Sequence, residues 1–110
     1  MVTICLLLVG VYFISTKRTN PTVAKKYLKE GLNASQNENY TGVAHLFKKA
    51  CDMGNIEGCL RLGYLYENGK GVTKNYTKAA QLYDKSCDMG NAEGCNNLDI
   101  LCNQKPWICK

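Results

Sequence analysis

The chain has 110 residues, enough for one small domain, and its apolar fraction of 45% is that of a globular protein rather than a disordered one. Its net charge of +5 comes from 14 basic and 9 acidic residues that are spread along the chain. Nucleic-acid binding requires a concentrated basic surface, so we expect no nucleic-acid partner. Seven cysteines in so short a chain are typical of an oxidising compartment and not of the cytosol.

The chain begins with an uncharged apolar segment, MVTICLLLVGVYFIS. The apolar run of roughly 14 residues is short for a membrane span and has the length of the apolar region of a signal peptide. Lys17 and Arg18 follow the run, which by itself favours a cytoplasmic position for the residues downstream. Because the cysteines favour export, we expect a secreted or periplasmic protein. Two interpretations of residues 1–20 stay open: a signal peptide, or a membrane anchor formed by residues 2–15 that is the only contact with a membrane.

Apolar residues at helical spacing, bounded by asparagine and glycine, predict five helices. In chain order they cover residues 21–37, 40–53, 56–68, 76–89 and 92–102. Asn20-Pro21 is typical of a helix start. Gly54 and Gly90 are typical of the left-handed residue that follows a helix. A glycine loop, Asn68-Gly69-Lys70-Gly71-Val72, separates the third helix from the fourth.

The second half of the chain repeats the first at an interval of 36 residues. Residues 39–66 align with residues 75–102, and sixteen of the 28 positions are identical. Such self-similarity is typical of stacked arrays in which each unit buries its apolar face on its neighbours. We therefore predict an all-α fold, an α-solenoid of antiparallel helix pairs over residues 21–103, with a C-terminal capping tail over residues 104–110.

Each repeat carries two cysteines, one at the end of a helix and one about a turn into the next helix. In an antiparallel helix pair these two positions can face each other across the turn. The spacing therefore favours three disulfides, Cys51–Cys59, Cys87–Cys95 and Cys102–Cys109. Six cysteines allow 15 pairings, so this connectivity is a hypothesis. Disulfides suit an array of only five helices, because so small a core gains much from covalent cross-links.

The sequence contains no recognisable catalytic or metal-binding motif, so the catalytic residues, if there are any, are unknown. It has one histidine and no cysteines at the short spacing of zinc sites, and we expect no metal and no cofactor. A solenoid offers an extended groove to ligands. The candidates for polar contacts in such a groove are His45, Arg61, Asn91, Asn96 and Asn97.

A specific pattern of small and apolar residues runs through the first repeat. It reads Ala44-x-x-Phe47-x-x-Ala50-Cys51-x-x-Gly54, then Gly58-Cys59-x-x-Leu62-Gly63-x-x-Tyr66-x-x-Gly69-x-Gly71-Val72-x-x-Asn75. In this pattern the chain resembles the Sel1-like repeat, a relative of the tetratricopeptide repeat with a longer glycine loop. The Cys-x₇-Cys pair resembles the Helicobacter-type cysteine-rich (Hcp) proteins. The resemblance covers residues 40–102 well and residues 21–39 loosely.

The resemblance implies a secreted or periplasmic α-solenoid in which a disulfide joins the two helices of each cysteine pair. It also implies a β-lactamase, that is, a hydrolase that binds or slowly opens β-lactams and is associated with antibiotic resistance. The residues do not supply the Ser-x-x-Lys element of serine β-lactamases, because none of Ser15, Ser35 and Ser86 precedes a lysine by three positions.

Two functions therefore stay open. One is a weak enzyme that acts on β-lactams. The other is a non-enzymatic binding or scaffold module that presents a helical groove to a peptide or protein partner, to a peptidoglycan-type ligand or to a host receptor.

Overall fold

A computed structural model describes residues 20–109, which form five α-helices and a short 3₁₀ helix. The helices are α1 (Pro21–Ser35), α2 (Tyr40–Asp52), α3 (Ile56–Asn68), α4 (Tyr76–Asp88) and α5 (Ala92–Gln104), and the 3₁₀ helix is Pro106–Ile108. Each helix packs against the next one along the chain, and the described range contains no strand. The predicted all-α solenoid of antiparallel helix pairs with disulfide cross-links is confirmed.

Each helix begins at an asparagine whose side-chain oxygen accepts a hydrogen bond from the backbone amide three residues further on. The donor–acceptor distances lie between 2.7 and 3.4 Å, and the caps are Asn20, Asn39, Asn55, Asn75 and Asn91. An asparagine cap stabilises a helix by about 1 kcal/mol relative to alanine. Because an asparagine cap precedes each helix, the helix starts could be predicted from the sequence.

The predicted helix ends differ from the observed ones at both ends of the array. α1 stops at Ser35 rather than at residue 37, because the following three amides bond to carbonyls three residues back and Glu38 has a φ of 60°. α5 continues to Gln104 rather than ending at residue 102. It ends where Pro106, which has no amide hydrogen, can no longer extend the helical hydrogen bonds.

The core consists of two apolar clusters, one on each side of α3. The buried members of the first are Val43, Ala44, Phe47, Leu62 and Leu65, and those of the second are Leu60, Ala79, Ala80, Tyr83 and Leu101. Because α3 contributes to both clusters, it joins the two units of the array.

An aromatic ring lies against a glycine at each step of the stack. A Cβ atom on Gly31 would lie 2.6 Å from the Phe47 ring, and one on Gly63 would lie 2.8 Å from the Tyr83 ring. Phe47 and Tyr83 occupy the same position in consecutive repeats. α1 therefore packs on α2 in the same way as α3 packs on α4. By this comparison, α1 is the second helix of a preceding unit. The sequence match over residues 21–39 was loose because the glycine loop is missing there.

The glycine loop turns back onto the start of α2. Gly71 has a φ of 71°, and a Cβ atom there would overlap the carbonyl oxygen of Tyr40. Val72 packs on the first cluster, and the Asn75 amide donates to the Tyr66 carbonyl at 2.9 Å. The loop thus packs on the unit that it follows, and the next unit begins after it.

Three disulfides cross-link the described residues: Cys51–Cys59, Cys87–Cys95 and Cys102–Cys109. They are the three pairs that the spacing favours. The first two join the helices of a unit across their turn, and the third ties the tail to α5. Closing loops of this length stabilises a fold by about 2–3 kcal/mol each in the chain-entropy model.

The tail after α5 packs on α4 and α5 through the 3₁₀ helix. The Lys105 ammonium lies 4.3 Å from the centroid of the Tyr76 ring and 5.5 Å from that of Trp107. The predicted role of residues 104–110 as a cap stays a prediction. The predicted signal peptide or anchor lies outside the described residues, apart from Asn20. Among residues 20–109, no helix has the length and apolarity needed to cross a membrane.

The two helices of each unit approach closely at a glycine that precedes the second cysteine. A Cβ atom on Gly58 would lie 2.8 Å from the Cβ of Ala50, and one on Gly94 would lie 2.8 Å from the hydroxyl of Ser86. Ser86 takes the place of Ala50 one repeat later. Its side chain is fully buried, and its hydroxyl has no hydrogen-bond partner among the described residues.

We predict that Ser86→Ala raises the free energy of unfolding by about 1 kcal/mol, because a buried hydroxyl without a partner is costly. Urea denaturation of the oxidised protein measures the change. The reciprocal variant Ala50→Ser is the matched control and should lower stability by a similar amount. A destabilised Ser86→Ala protein would show that the hydroxyl is hydrogen-bonded in solution.

Candidate binding groove

A groove with a volume of about 380 Å³ is lined mainly by residues of α2, α3 and α5. We call it the central groove. Its floor is apolar and consists of Val43, Phe47, Leu60 and Leu65, and its walls are formed by Ser35, Tyr40, Glu57, Arg61, Tyr64, Lys70, Glu93 and Asn97. The floor side chains belong to the two core clusters, so the groove rests on a rigid surface.

Two pairs of polar residues line the groove at equivalent positions of the two repeats. Glu57 and Arg61 come from α3, and Glu93 and Asn97 lie 36 residues later on α5. Arg61 Nε donates to Glu57 Oε1 at 2.7 Å, and about two fifths of each side chain is exposed. Such an exposed pair stabilises a helix by only about 0.3–0.5 kcal/mol. The pair therefore balances the charge of Glu57 and adds little to the stability of the fold.

A lysine and two tyrosines form the opposite wall. The Lys70 ammonium lies 5.2 Å from the centroid of the Tyr40 ring and 5.9 Å from that of Tyr64. The glycine loop places it there, because Gly69 ends α3 in a left-handed conformation and the Lys70 amide then donates to the Leu65 carbonyl. Tyr64 is 51% exposed, which is unusual for so large a side chain. Its ring is therefore accessible from the groove.

Tyr83 is buried, and its ring lies against Gly63, the residue before Tyr64. Its hydroxyl donates to Glu67 Oε2 at 3.3 Å. Burial raises the pKa of Tyr83 well above its ordinary value of 10, and the nearby Glu67 carboxylate and the hydrogen bond to it raise the pKa further. Tyr83 therefore stays protonated at neutral pH and acts as a structural hydrogen-bond donor.

We predict a loss of stability at alkaline pH that depends on Tyr83. The pKa of Tyr83 is higher in the folded than in the unfolded protein. Its contribution to the free energy of unfolding is therefore complete below about pH 10 and is lost as the pH rises above that value. Urea denaturation measures the free energy of unfolding at about pH 9 and about pH 11. Between these two pH values it should decrease more for the wild type than for Tyr83→Phe. The variant keeps the ring, and phenylalanine occupies this position in the preceding repeat. Equal losses in the two proteins would contradict the prediction.

The structure brings together two of the five residues predicted for a groove. Arg61 and Asn97 line the central groove, and His45, Asn91 and Asn96 do not. His45 and Asn96 are exposed on α2 and α5, and Asn91 is the cap of α5. The predicted set therefore does not form one site, and a binding role for any member stays a prediction.

The sequence prediction missed ten of the twelve residues that line the groove, including Tyr40, Glu57, Tyr64, Lys70 and Glu93. A signal was present for the two glutamates, because the repeat alignment pairs Glu57 with Glu93 and Arg61 with Asn97. No comparable signal marks Tyr40 and Lys70. They meet only because the glycine loop turns back onto α2.

The chemistry of the groove suits binding. Its one serine hydroxyl, that of Ser35, donates to the Leu32 carbonyl at 2.6 Å. Among residues 20–109, no cluster of three or more histidine, cysteine or acidic side chains has the arrangement of a metal site. An apolar floor with aromatic rings and a few separated charges is typical of a site that holds a ligand by contact and orients it by polar groups.

The model of the Sel1 repeat family matches residues 44–55 and 56–91. Residues 44–91 of the chain are therefore similar to the Sel1 repeat. The matched segments contain most of α2, all of α3, the glycine loop and α4.

Two curated proteins similar to this chain come from Helicobacter pylori. The two proteins, from strains J99 and 26695, are both named "Putative beta-lactamase HcpE" and are 49% identical over 45 residues and 47% identical over 49 residues. These matches cover 41% and 44% of this chain, but only 13% and 12% of the relatives. The chain thus spans about an eighth of the length of these relatives.

A solved structure supports the same assignment. Cysteine-rich protein B (HcpB) of Helicobacter pylori matches with a TM-score of 0.53 and 37% sequence identity. The match covers 55% of this chain and 45% of that protein. The resemblance to the cysteine-rich Hcp proteins that the sequence predicts is confirmed.

Proposed function

We propose that this chain is an exported, non-enzymatic binding module whose central groove holds a peptide segment of a protein partner. The observation that carries the proposal is the half-exposed Tyr64 ring above an apolar floor, with charges of both signs on the walls. Tyrosine is enriched at the centres of protein interfaces because it combines a large apolar area with a polar tip. Repeat solenoids commonly use such surfaces to bind other chains.

The composition of the groove favours a peptide over a small uniform ligand. An apolar side chain of the peptide fits the floor, and its backbone and polar side chains meet Arg61, Asn97 and the tyrosine hydroxyl groups at the rim. The side chains of the floor are already packed in the fold, so a ligand would bind there with little loss of side-chain conformational entropy. Peptidoglycan-type ligands share the combination of peptide and polar groups, and they are the second ligand class to test.

Export is supported by the three disulfides. Such bonds persist in secreted and periplasmic proteins and are rare in the cytosol. An apolar segment within residues 1–20 would direct export either as a signal peptide or as an anchor formed by residues 2–15. We therefore place the groove outside the cytoplasm.

The binding proposal is tested by selecting peptides from a phage-displayed random heptapeptide library on the oxidised protein. Binding of the best peptide, measured by isothermal titration calorimetry, should weaken about tenfold in Tyr64→Ala, because that variant removes the exposed ring. Ile100→Ala is the matched control. Ile100 occupies the equivalent position one repeat later and is 53% exposed, but it does not line the groove.

Equal binding by wild type and Tyr64→Ala would place the peptide elsewhere on the molecule. A library that yields no binding peptide would contradict the proposal. Binding of muropeptides alone would change the ligand class to peptidoglycan.

The second candidate function is β-lactam hydrolysis. It is supported by the names of the two HcpE proteins, and the groove contains one serine hydroxyl, that of Ser35. This hydroxyl already donates to a backbone carbonyl and lies outside any Ser-x-x-Lys element. We therefore expect the binding function to be the correct one.

We predict that the oxidised protein does not hydrolyse nitrocefin over many turnovers. The measurement compares the oxidised wild type, a reduced sample and Ser35→Ala at equal concentration. Steady hydrolysis that disappears on reduction would overturn the binding proposal in favour of an enzyme. Loss of that activity in Ser35→Ala would then identify the nucleophile.

A further inference from the structure

We propose that the peptide held in the central groove carries a basic side chain, lysine or arginine, that pairs with Glu93. This inference rests on the proposed function, because it specifies the ligand of the same groove. It comes from a difference between the two repeats at the positions that line the groove.

The first repeat neutralises its own glutamate. Glu57 lies in the first turn of α3, and Arg61 pairs with it one turn later at 2.7 Å. The second repeat has the same glutamate, Glu93, in the first turn of α5, but asparagine stands in place of the arginine. Within residues 20–109, Glu93 has no basic group within ion-pair distance. The groove thus contains one neutralised carboxylate and one that is free.

The other basic side chains of the groove are already engaged. Arg61 bonds to Glu57, and the Lys70 ammonium lies over two tyrosine rings. The remaining carboxylate is the group whose charge a ligand can balance. Asn97 lies one helical turn from Glu93 and offers an amide oxygen that can accept a second hydrogen bond from a lysine or an arginine.

The overall charge of the chain does not oppose this pairing. The net charge of +5 repels a basic peptide at long range. Exposed charges are largely screened beyond about 8 Å at physiological ionic strength, whereas the contact with Glu93 acts within a few ångströms. The local carboxylate therefore decides which peptides are preferred. The basic residue should lie close to an apolar one, because Glu93 and the floor residue Leu60 line the same groove.

The experiment compares the wild type with Asn97→Arg, which gives the second repeat the pair that the first repeat has. The internal arginine should neutralise Glu93 and remove the preference. Asp99→Asn is the matched control, because it changes the net charge by the same amount on the same helix and Asp99 is exposed outside the groove. Circular dichroism and a thiol assay confirm that each variant is folded and oxidised.

Random heptapeptides selected on the wild type should be enriched in lysine and arginine beside an apolar residue, and those selected on Asn97→Arg should not be. The best peptide is then compared with an analogue in which citrulline replaces arginine (or glutamine replaces lysine). The charged peptide should bind the wild type and Asp99→Asn about two- to fivefold more tightly than its uncharged analogue does. Asn97→Arg should bind the two peptides equally well. The preference should also decrease as salt is added.

The two proposals fail in different ways. Peptides that depend on Tyr64 but show no basic preference would overturn the role of Glu93 and leave the binding function intact. A preference lost equally in Asp99→Asn and Asn97→Arg would reflect net charge and would also overturn it. A library without binding peptides would contradict both proposals.

Discussion

The contact between an aromatic ring and a glycine of the preceding helix sets the distance between consecutive units. Phe47 makes this contact with Gly31, and Tyr83 makes it with Gly63. Any side chain on either glycine would have to displace a buried ring that is part of a core cluster. Since cores are packed as densely as organic crystals, such a displacement would change the spacing of the whole array. The position of each unit relative to the next therefore depends on two residues without a side chain.

The central groove is a product of this spacing. Its walls come from α1, α2, α3, the glycine loop and α5, so no single unit contains it. The disulfides hold the helices within a unit, and the ring contacts hold the units together. The shape of the groove and the stability of the fold are therefore linked, because loosening either set of contacts separates the walls. The half-exposed residues at the rim are free of this constraint.

The local features of the fold could be predicted from the sequence, and the site largely could not. Asparagine caps, glycine stops and paired cysteines act over a few residues, so the helices and the cross-links followed from spacing. The groove depends on how the glycine loop turns back, which brings Lys70 to Tyr40 and Tyr64. His45 was predicted for the groove as a polar residue of α2, but the buried face of α2 is formed by its neighbours Val43, Ala44 and Phe47, and His45 points to solvent. The repeat alignment carried more information about the site than residue type did.

The equivalence of successive contacts has a consequence for how such chains change length. α1 meets α2 in the way that α3 meets α4, although only the second junction has the long glycine loop. A block of 36 residues, 39–74, begins at the cap Asn39 and stops before the next cap, Asn75. The contact at its end is therefore of the same kind as the contact at its beginning. Duplication or deletion of that block by recombination would create no new kind of junction. Each added copy would carry its own pair of cysteines and would extend the wall by one more glutamate position. The residue four positions after that glutamate can then differ between copies, as Arg61 and Asn97 do.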